Sequence, residues 1–177
     1  MEAKRSFKRK RTRIVRTRPV GGNLAYDGNR LWTSASSGQY EVRFKNVVIE
    51  NVSTRCGLRP RLLLRFEVLG GPMSMNEAGK WEHGNRNAGK VVPLWQYLGN
   101  DVDNPVLSPN CWFSPSVTNQ SGNSLDQKLQ AFGRSVRYVV VVWPGTGPAK
   151  IVAYSFSTPY AKADVDRLLK DLGAADV

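Results

Sequence analysis

The 177-residue chain is poor in the residues that carry most catalytic chemistry. It has one histidine, His83, and two cysteines, Cys56 and Cys111. Two cysteines cannot build a disulfide scaffold or a four-ligand zinc site, so a reduced intracellular setting is expected. No apolar run approaches the roughly 18 residues that a membrane span needs. The positively charged start is not followed by an apolar stretch, so secretion is not expected. Acids are also scarce, 14 against 26 lysines and arginines, which leaves a net charge of +12. Hydrophobic residues are not scarce: at 41% they suffice for a core, which excludes wholesale disorder. The length fits one domain of ordinary size, with room for a tail.

The positive charge is concentrated. Residues 1–18 hold nine bases (Lys4, Arg5, Lys8, Arg9, Lys10, Arg11, Arg13, Arg16 and Arg18) against Glu2, a net charge of +8. The other 159 residues hold 17 bases and 13 acids, a net charge of only +4. So dense a block repels itself and is expected to stay unfolded alone. Six of the nine bases are arginines, whose planar fork grips phosphate oxygens in pairs. Neutralising phosphates releases counterions, so the block is read as a nucleic-acid-binding arm with little sequence preference. KRKR at 8–11 would also serve as a nuclear-import address. A membrane-surface role ranks last, because Phe7, Ile14 and Val15 do not make an apolar helix face. Pro19, Gly21 and Gly22 break the chain after the arm. The expected division is therefore a disordered basic arm and hinge over 1–22 and a folded body over 23–177.

The body reads as strands. Tyr40, Val42 and Phe44 alternate with Glu41, Arg43 and Lys45, the period of a half-buried strand. Past Asn46 the apolar set slips by one residue to Val47 and Ile49, which predicts a bulge. Leu62, Leu64, Phe66 and Val68 repeat the alternation. Tyr138–Trp143 is a continuous β-branched run suited to a central strand buried on both faces. The Pro/Gly turn at 144–148 then sends Lys150–Ser157 back as a hairpin partner.

Helix signals are fewer. Ser124 and Gln127 form a capping box before Leu125, Leu129 and Phe132, with Gly133 as the expected stop. A second helix is predicted from about Asp164, with Val165, Leu168, Leu169 and Leu172 at helical spacing and Gly173 ending it. A turn is expected near Pro93–Leu98, and weak strand signals lie near Val91, Val106 and Phe113. These features predict an all-β fold: an antiparallel β-sandwich with short loop helices and a C-terminal helix.

Enzyme chemistry finds little support, and no catalytic residue or cofactor is assigned. His83 sits in a Gly/Asn-rich segment and reads as a surface loop histidine. The run Gly145–Lys150 lacks the spacing and the Ser or Thr of a phosphate loop and joins two strands. Asp101 and Asp103, beside Asn100 and Asn104, are weak candidates for calcium at a subunit contact, against the plainer reading of solvated loop acids. A second basic group is clearer: Arg55, Arg59, Arg61 and Arg65 cluster around the second strand, and Arg43 and Lys45 lie on the polar side of the first. If those faces coincide, the body extends the arm's basic surface; otherwise they are solubilising charges partly paired with Glu41 and Glu67. Trp32, Trp81, Trp95 and Trp112 could stack on bases, although core or interface packing ranks first for such large aromatics.

The basic arm of residues 4–18, the breaker at 19–22, the loop-rich β body and the final hairpin together resemble a coat protein of a small icosahedral virus. Among plant viruses, the bromovirus and cucumovirus group and the satellite viruses have this plan. The resemblance implies an eight-stranded jelly-roll shell domain, self-assembly into a large homo-oligomeric shell, and packaging of genomic nucleic acid by the arm, with RNA ranked ahead of DNA. It implies a place in the virion and the host cytoplasm, and in the nucleus through residues 8–11, with no membrane partner. The competing reading is a non-capsid RNA-binding protein, ribosome-associated or a viral silencing suppressor.

Overall fold

A long antiparallel hairpin organises the body of the chain. The computed structural model describes residues 14–19, 35–84, 86–99, 106–145 and 149–174, with the backbone alone for 14–19, 51–54 and 58. Residues 1–13 of the basic arm, Trp32, Asp101 and Asp103 lie outside them, and with them the arm's first seven cations and the calcium candidates. Strand β2 (Gly38–Thr54) turns at Arg55 and Cys56 into β3 (Gly57–Val68). Gly57 opens β3 at φ +98°, a backbone that a side chain would resist. The pairing shifts between Phe44 and Asn46, which leaves Lys45 as an extra residue with no partner opposite. This is the predicted bulge, and it lets both apolar sets of β2 face one core.

The remaining strands extend this hairpin. On the far side of β3 lies β6 (Val91–Tyr97). The other edge of β2 is shared: β7 (Tyr138–Val142) pairs with Gly38–Glu41, and β1 (Ile14–Pro19) pairs with Val48–Val52. Strand β8 (Lys150–Ser155) closes the predicted hairpin with β7. The six-stranded sheet thus runs β6-β3-β2-β7-β8, with β1 beside β2, and β4 (Ser74–Met75) and β5 (Trp81–Glu82) make a separate ribbon. Strands β6 and β8, at opposite ends of that order, approach each other, so the sheet curls around its core. The fold is mostly antiparallel sheet with a few short helices, as the all-β reading expected.

One face of β2 and β3 carries Tyr40, Val42, Val47, Ile49, Leu62, Leu64 and Phe66 into the core, joined by Val92, Leu94, Val139 and Val141. Val139 to Val142 are all buried, as expected for a central strand. The core is roofed by α1 (Ser114–Thr118) and α2 (Leu125–Ser135), which insert Phe113, Val117, Leu129 and Phe132. An 11-residue helix is marginal alone, so α2 depends on this burial. Its Ser124 cap accepts from the Gln127 amide at 3.2 Å, as predicted, while Gln127 accepts from the Asn123 amide instead of closing the box on Ser124. The C-terminal α3 (Lys162–Asp171) begins two residues before the expected start, and Gly173 follows at φ +69°.

Four expectations are corrected. Gly133 does not stop α2, which runs to Ser135; it is buried where the helix crosses Phe44. The segment near Pro93–Leu98 is strand β6, because Val92 and Leu94 reach the core while Pro93 sits on the opposite face. Phe113 starts a helix, with Pro115 in its first turn where a missing amide costs least, and Val106 is an exposed non-strand residue. Finally, Ile14–Pro19 is a paired strand within the stretch read as an unfolded arm. Local charge argues against structure there, but the open edge of β2 supplies backbone partners that sequence does not reveal.

Candidate nucleic-acid interface

The second basic group can be placed residue by residue. On β3, Arg59, Arg61, Leu63, Arg65 and Glu67 alternate with the core set and share the opposite face. Pairing sets Arg61 against Glu50 and Tyr97, Leu63 against Val48 and Trp95, and Arg43 against Glu67. Arg43 and Arg59 therefore do lie on one face, as the continuous-surface reading required. Between them, however, Val48, Glu50, Leu63 and Arg65 are buried. Eight residues of strand lie between Arg43 and Val52, the residue opposite Arg59, a span of about 30 Å. The exposed cations therefore form two groups, one at each end of the β2–β3 hairpin.

At the turn end, Arg55 is exposed and Arg59 and Arg61 are half-buried. The guanidinium of Arg59 lies 4.5 Å from the centre of the Tyr97 ring. Placed over the ring, the guanidinium keeps its charge, although its Nε is buried. Arg61 lies over Trp95 at 5.9 Å, and Trp95 meets Tyr97 edge-to-face at 5.5 Å. The two arginine–ring contacts are diagonal pairs across β3 and β6, whereas Trp95 and Tyr97 are neighbours on one face of β6. Arg61 also donates from Nε and Nη2 to one oxygen of Glu50, at 3.1 and 2.7 Å. With Glu50 fully buried and the Arg61 side chain only 11% exposed, this ion pair serves the fold first. The site at this end is therefore Arg55 and Arg59 beside the half-buried rings of Trp95 and Tyr97. Tyr97 was not singled out in the sequence; its signal is the spacing of two from Trp95.

At the other end, Arg43 and Lys45 are exposed. Arg43 bonds Glu67 at 3.2 Å, an exposed pair that solvent keeps weak and that phosphate could displace. Lys45 is the bulge residue. Arg16 and Arg18 of the arm enter β1, opposite Asn51 and Ile49, so the arm joins the body at the edge of β2. Lys4, Arg5, Lys8, Arg9, Lys10, Arg11 and Arg13 precede that strand and lie outside the described residues.

The residues weighed for catalysis and the remaining tryptophans are dispersed. His83 pairs with Glu41 at 2.9 Å, and Arg137 reaches the other oxygen of that carboxylate at 3.7 Å. Cys56 is exposed at the hairpin turn, whereas Cys111 is buried, and burial pushes its thiol pKa up, away from the reactive thiolate. Among the described residues no three His, Cys, Asp or Glu side chains gather as a metal site, and no helix is long and apolar enough to cross a membrane. Trp81 is half-buried and donates to the Tyr160 carbonyl. Trp112 is 48% exposed and lies with Tyr154, which also meets Phe156. Comparison of the chain with models of known families, with characterised proteins and with solved structures finds no match, so function must be argued from these residues.

Proposed function

We propose that the chain is a viral coat protein that packages a nucleic-acid genome through its basic N-terminal arm while the sheet domain assembles into a shell. The observation that carries this reading is the segregation of charge: +8 within 18 residues, the last five of which lie in a strand beside β2. A polyanion confined in a shell repels itself, and many tethered cationic arms offset that repulsion. Exposed Trp112 (48%) and Phe156 (40%) supply the kind of aromatic surface that contacts between copies use. Each contact can be weak, because repetition across a closed shell multiplies it. In this reading the protein resides in the virion and the host cytoplasm, with residues 8–11 as a nuclear route, and RNA is the favoured genome.

Among the described residues, the strand pairing draws one curled six-stranded sheet and a ribbon rather than the two four-stranded sheets of a jelly roll. The proposal therefore rests on the arm and the sheet domain, not on that topology. The same difference, with the Arg59–Tyr97 stack, favours a second reading: a nucleic-acid-binding protein, viral or ribosome-associated, that forms no shell. Sedimentation and electron microscopy of the full chain mixed with long single-stranded RNA separate the two. Closed particles of many tens of copies are expected. Complexes that stay at one or two copies refute the coat reading and leave the second, and failure to bind RNA at low salt refutes both.

A further inference from the structure

We propose that the root of the arm and the tip of the β2–β3 hairpin form one continuous site for a single nucleic-acid strand, with phosphates on Arg55 and Arg59 and an unpaired base stacked on the Arg59–Tyr97 pair. The inference rests on the nucleic-acid reading above and adds to it which of the two cation groups the arm works with, and the kind of strand they take together. The strand register roots the arm. Strand β1 lies antiparallel to β2, with Ile14 opposite Val52 and Pro19 opposite Val48. On the other side of β2, Val52 is opposite Arg59. Ile14, Val52 and Arg59 therefore form one row across three strands, and two strand spacings put the backbone of Ile14 about 10 Å from that of Arg59. Arg13 is bonded to Ile14, so the arm is rooted at the turn end of the hairpin. A parallel β1 would have rooted it toward Arg43 and Lys45 instead.

The tip suits a chain of phosphates. Thr54 pairs with Gly57, so Arg55 and Cys56 make a two-residue turn that holds Arg55 exposed at the apex. Residues 51–60 contain no acid, and among the described residues no carboxylate pairs with Arg55 or Arg59. At the other end of the hairpin Arg43 is engaged by Glu67. The contact of Arg59 with Tyr97, at 4.5 Å, leaves its charge unneutralised, and with Nε buried a phosphate meets it through the terminal nitrogens. Bases stack on aromatic rings and on guanidinium planes alike, so the half-buried Arg59–Tyr97 pair is a platform for a base. A duplex keeps its base faces stacked inside, and the site therefore takes a single strand.

The test titrates the full chain with a fluorescent oligouridylate of about 10 nucleotides, a length that one such site covers, and follows anisotropy across a salt series. One oligonucleotide per chain is expected, because arm and tip share a strand. Arg55→Gln/Arg59→Gln should shrink the slope of log affinity against log salt by about 1. Arg43→Gln/Lys45→Gln removes the same charge about 30 Å away and should leave the slope unchanged. Arg55→Gln alone, at an exposed turn position, should give about half the change and keeps the test decisive if Arg59→Gln lowers the melting temperature. Tyr97→Leu should weaken binding about tenfold at an unchanged slope, whereas Tyr97→Phe, which keeps the ring, should not. Two oligonucleotides per chain mean separate sites and overturn the proposal. So do equal changes of slope in the two double variants, or a Tyr97→Leu protein that binds as tightly as the parent. These outcomes leave binding by the arm, and with it the nucleic-acid reading, in place. A full chain that binds no oligonucleotide at low salt refutes that reading first, and the shared site with it.

Discussion

Replacing Gly133 with alanine sets two opposing effects against each other, and the structure decides the sign. Gly133 lies inside α2, where alanine is favoured over glycine by about 1 kcal/mol through backbone entropy. An added Cβ would stand 2.4 Å from both Cδ2 and Cε2 of Phe44 and 2.9 Å from Cγ. Carbon atoms rest at about 3.5–4.0 Å, so helix and ring must separate by more than an ångström. Phe44 is not free to retreat, because its ring packs edge-to-face on buried Phe66 with centres 5.8 Å apart. Overpacking of this kind costs about 1–3 kcal/mol or more, with a clash this short at the upper end. The helix gain returns about one of these, so Gly133→Ala should destabilise the protein by about 1–2 kcal/mol. Urea unfolding followed by circular dichroism reads this as a lower midpoint with an unchanged slope. The cause is isolated by a cycle with Phe44→Leu, whose smaller side chain opens the crossing. In that background Gly133→Ala should cost at least about 1 kcal/mol less. A stabilised Gly133→Ala protein, or strictly additive variants, refutes the argument that the glycine is there for the crossing.

Other perturbations test separate parts of the account. Glu50→Ala removes the carboxylate that Arg61 bonds twice in a largely buried place and should cost about 3 kcal/mol in urea unfolding, whereas Glu50→Met/Arg61→Met should recover most of it; equal losses would count against the pair as the source of the cost. Removing residues 1–13 deletes seven cations, so the slope of log affinity for single-stranded RNA against log salt should shrink by about 5; a slope within 1 of the full chain would take the arm out of phosphate binding. Tyr40 and Tyr160 both have pKa values raised above 10.0, mainly by burial, so the folded state holds their protons more tightly than the unfolded state. Stability is then present below about pH 10 and falls as pH rises past it; Tyr40→Phe should make that alkaline decline shallower, with Tyr160 retaining part of it, and an equal decline in both proteins counts against the burial argument.

Much of the body is legible because its signals are local. A period-two alternation with a single slip is enough to expect a bulge near Asn46, and the strand register sets it at Lys45. An uninterrupted β-branched run followed by a Pro/Gly turn marks β7 and β8, and Ser124 marks the start of α2. Where the sequence misleads, a distant partner overrides a local rule. Gly133 reads as a helix stop until Phe44 is seen beneath it. Arg61 reads as a phosphate ligand until Glu50, eleven residues away, occupies it.

Composition and spacing by themselves determined the charge segregation, the all-β class, the bulge and the final hairpin, since each follows from the chemistry of neighbouring residues. Only the tertiary structure decided that β2 is shared between two sets of partners, that β1 occupies its edge, and that the basic residues of the hairpin divide into two groups. The physical reason is that strand pairing and burial are settled between residues far apart in the chain, through backbone hydrogen bonds that carry no side-chain code.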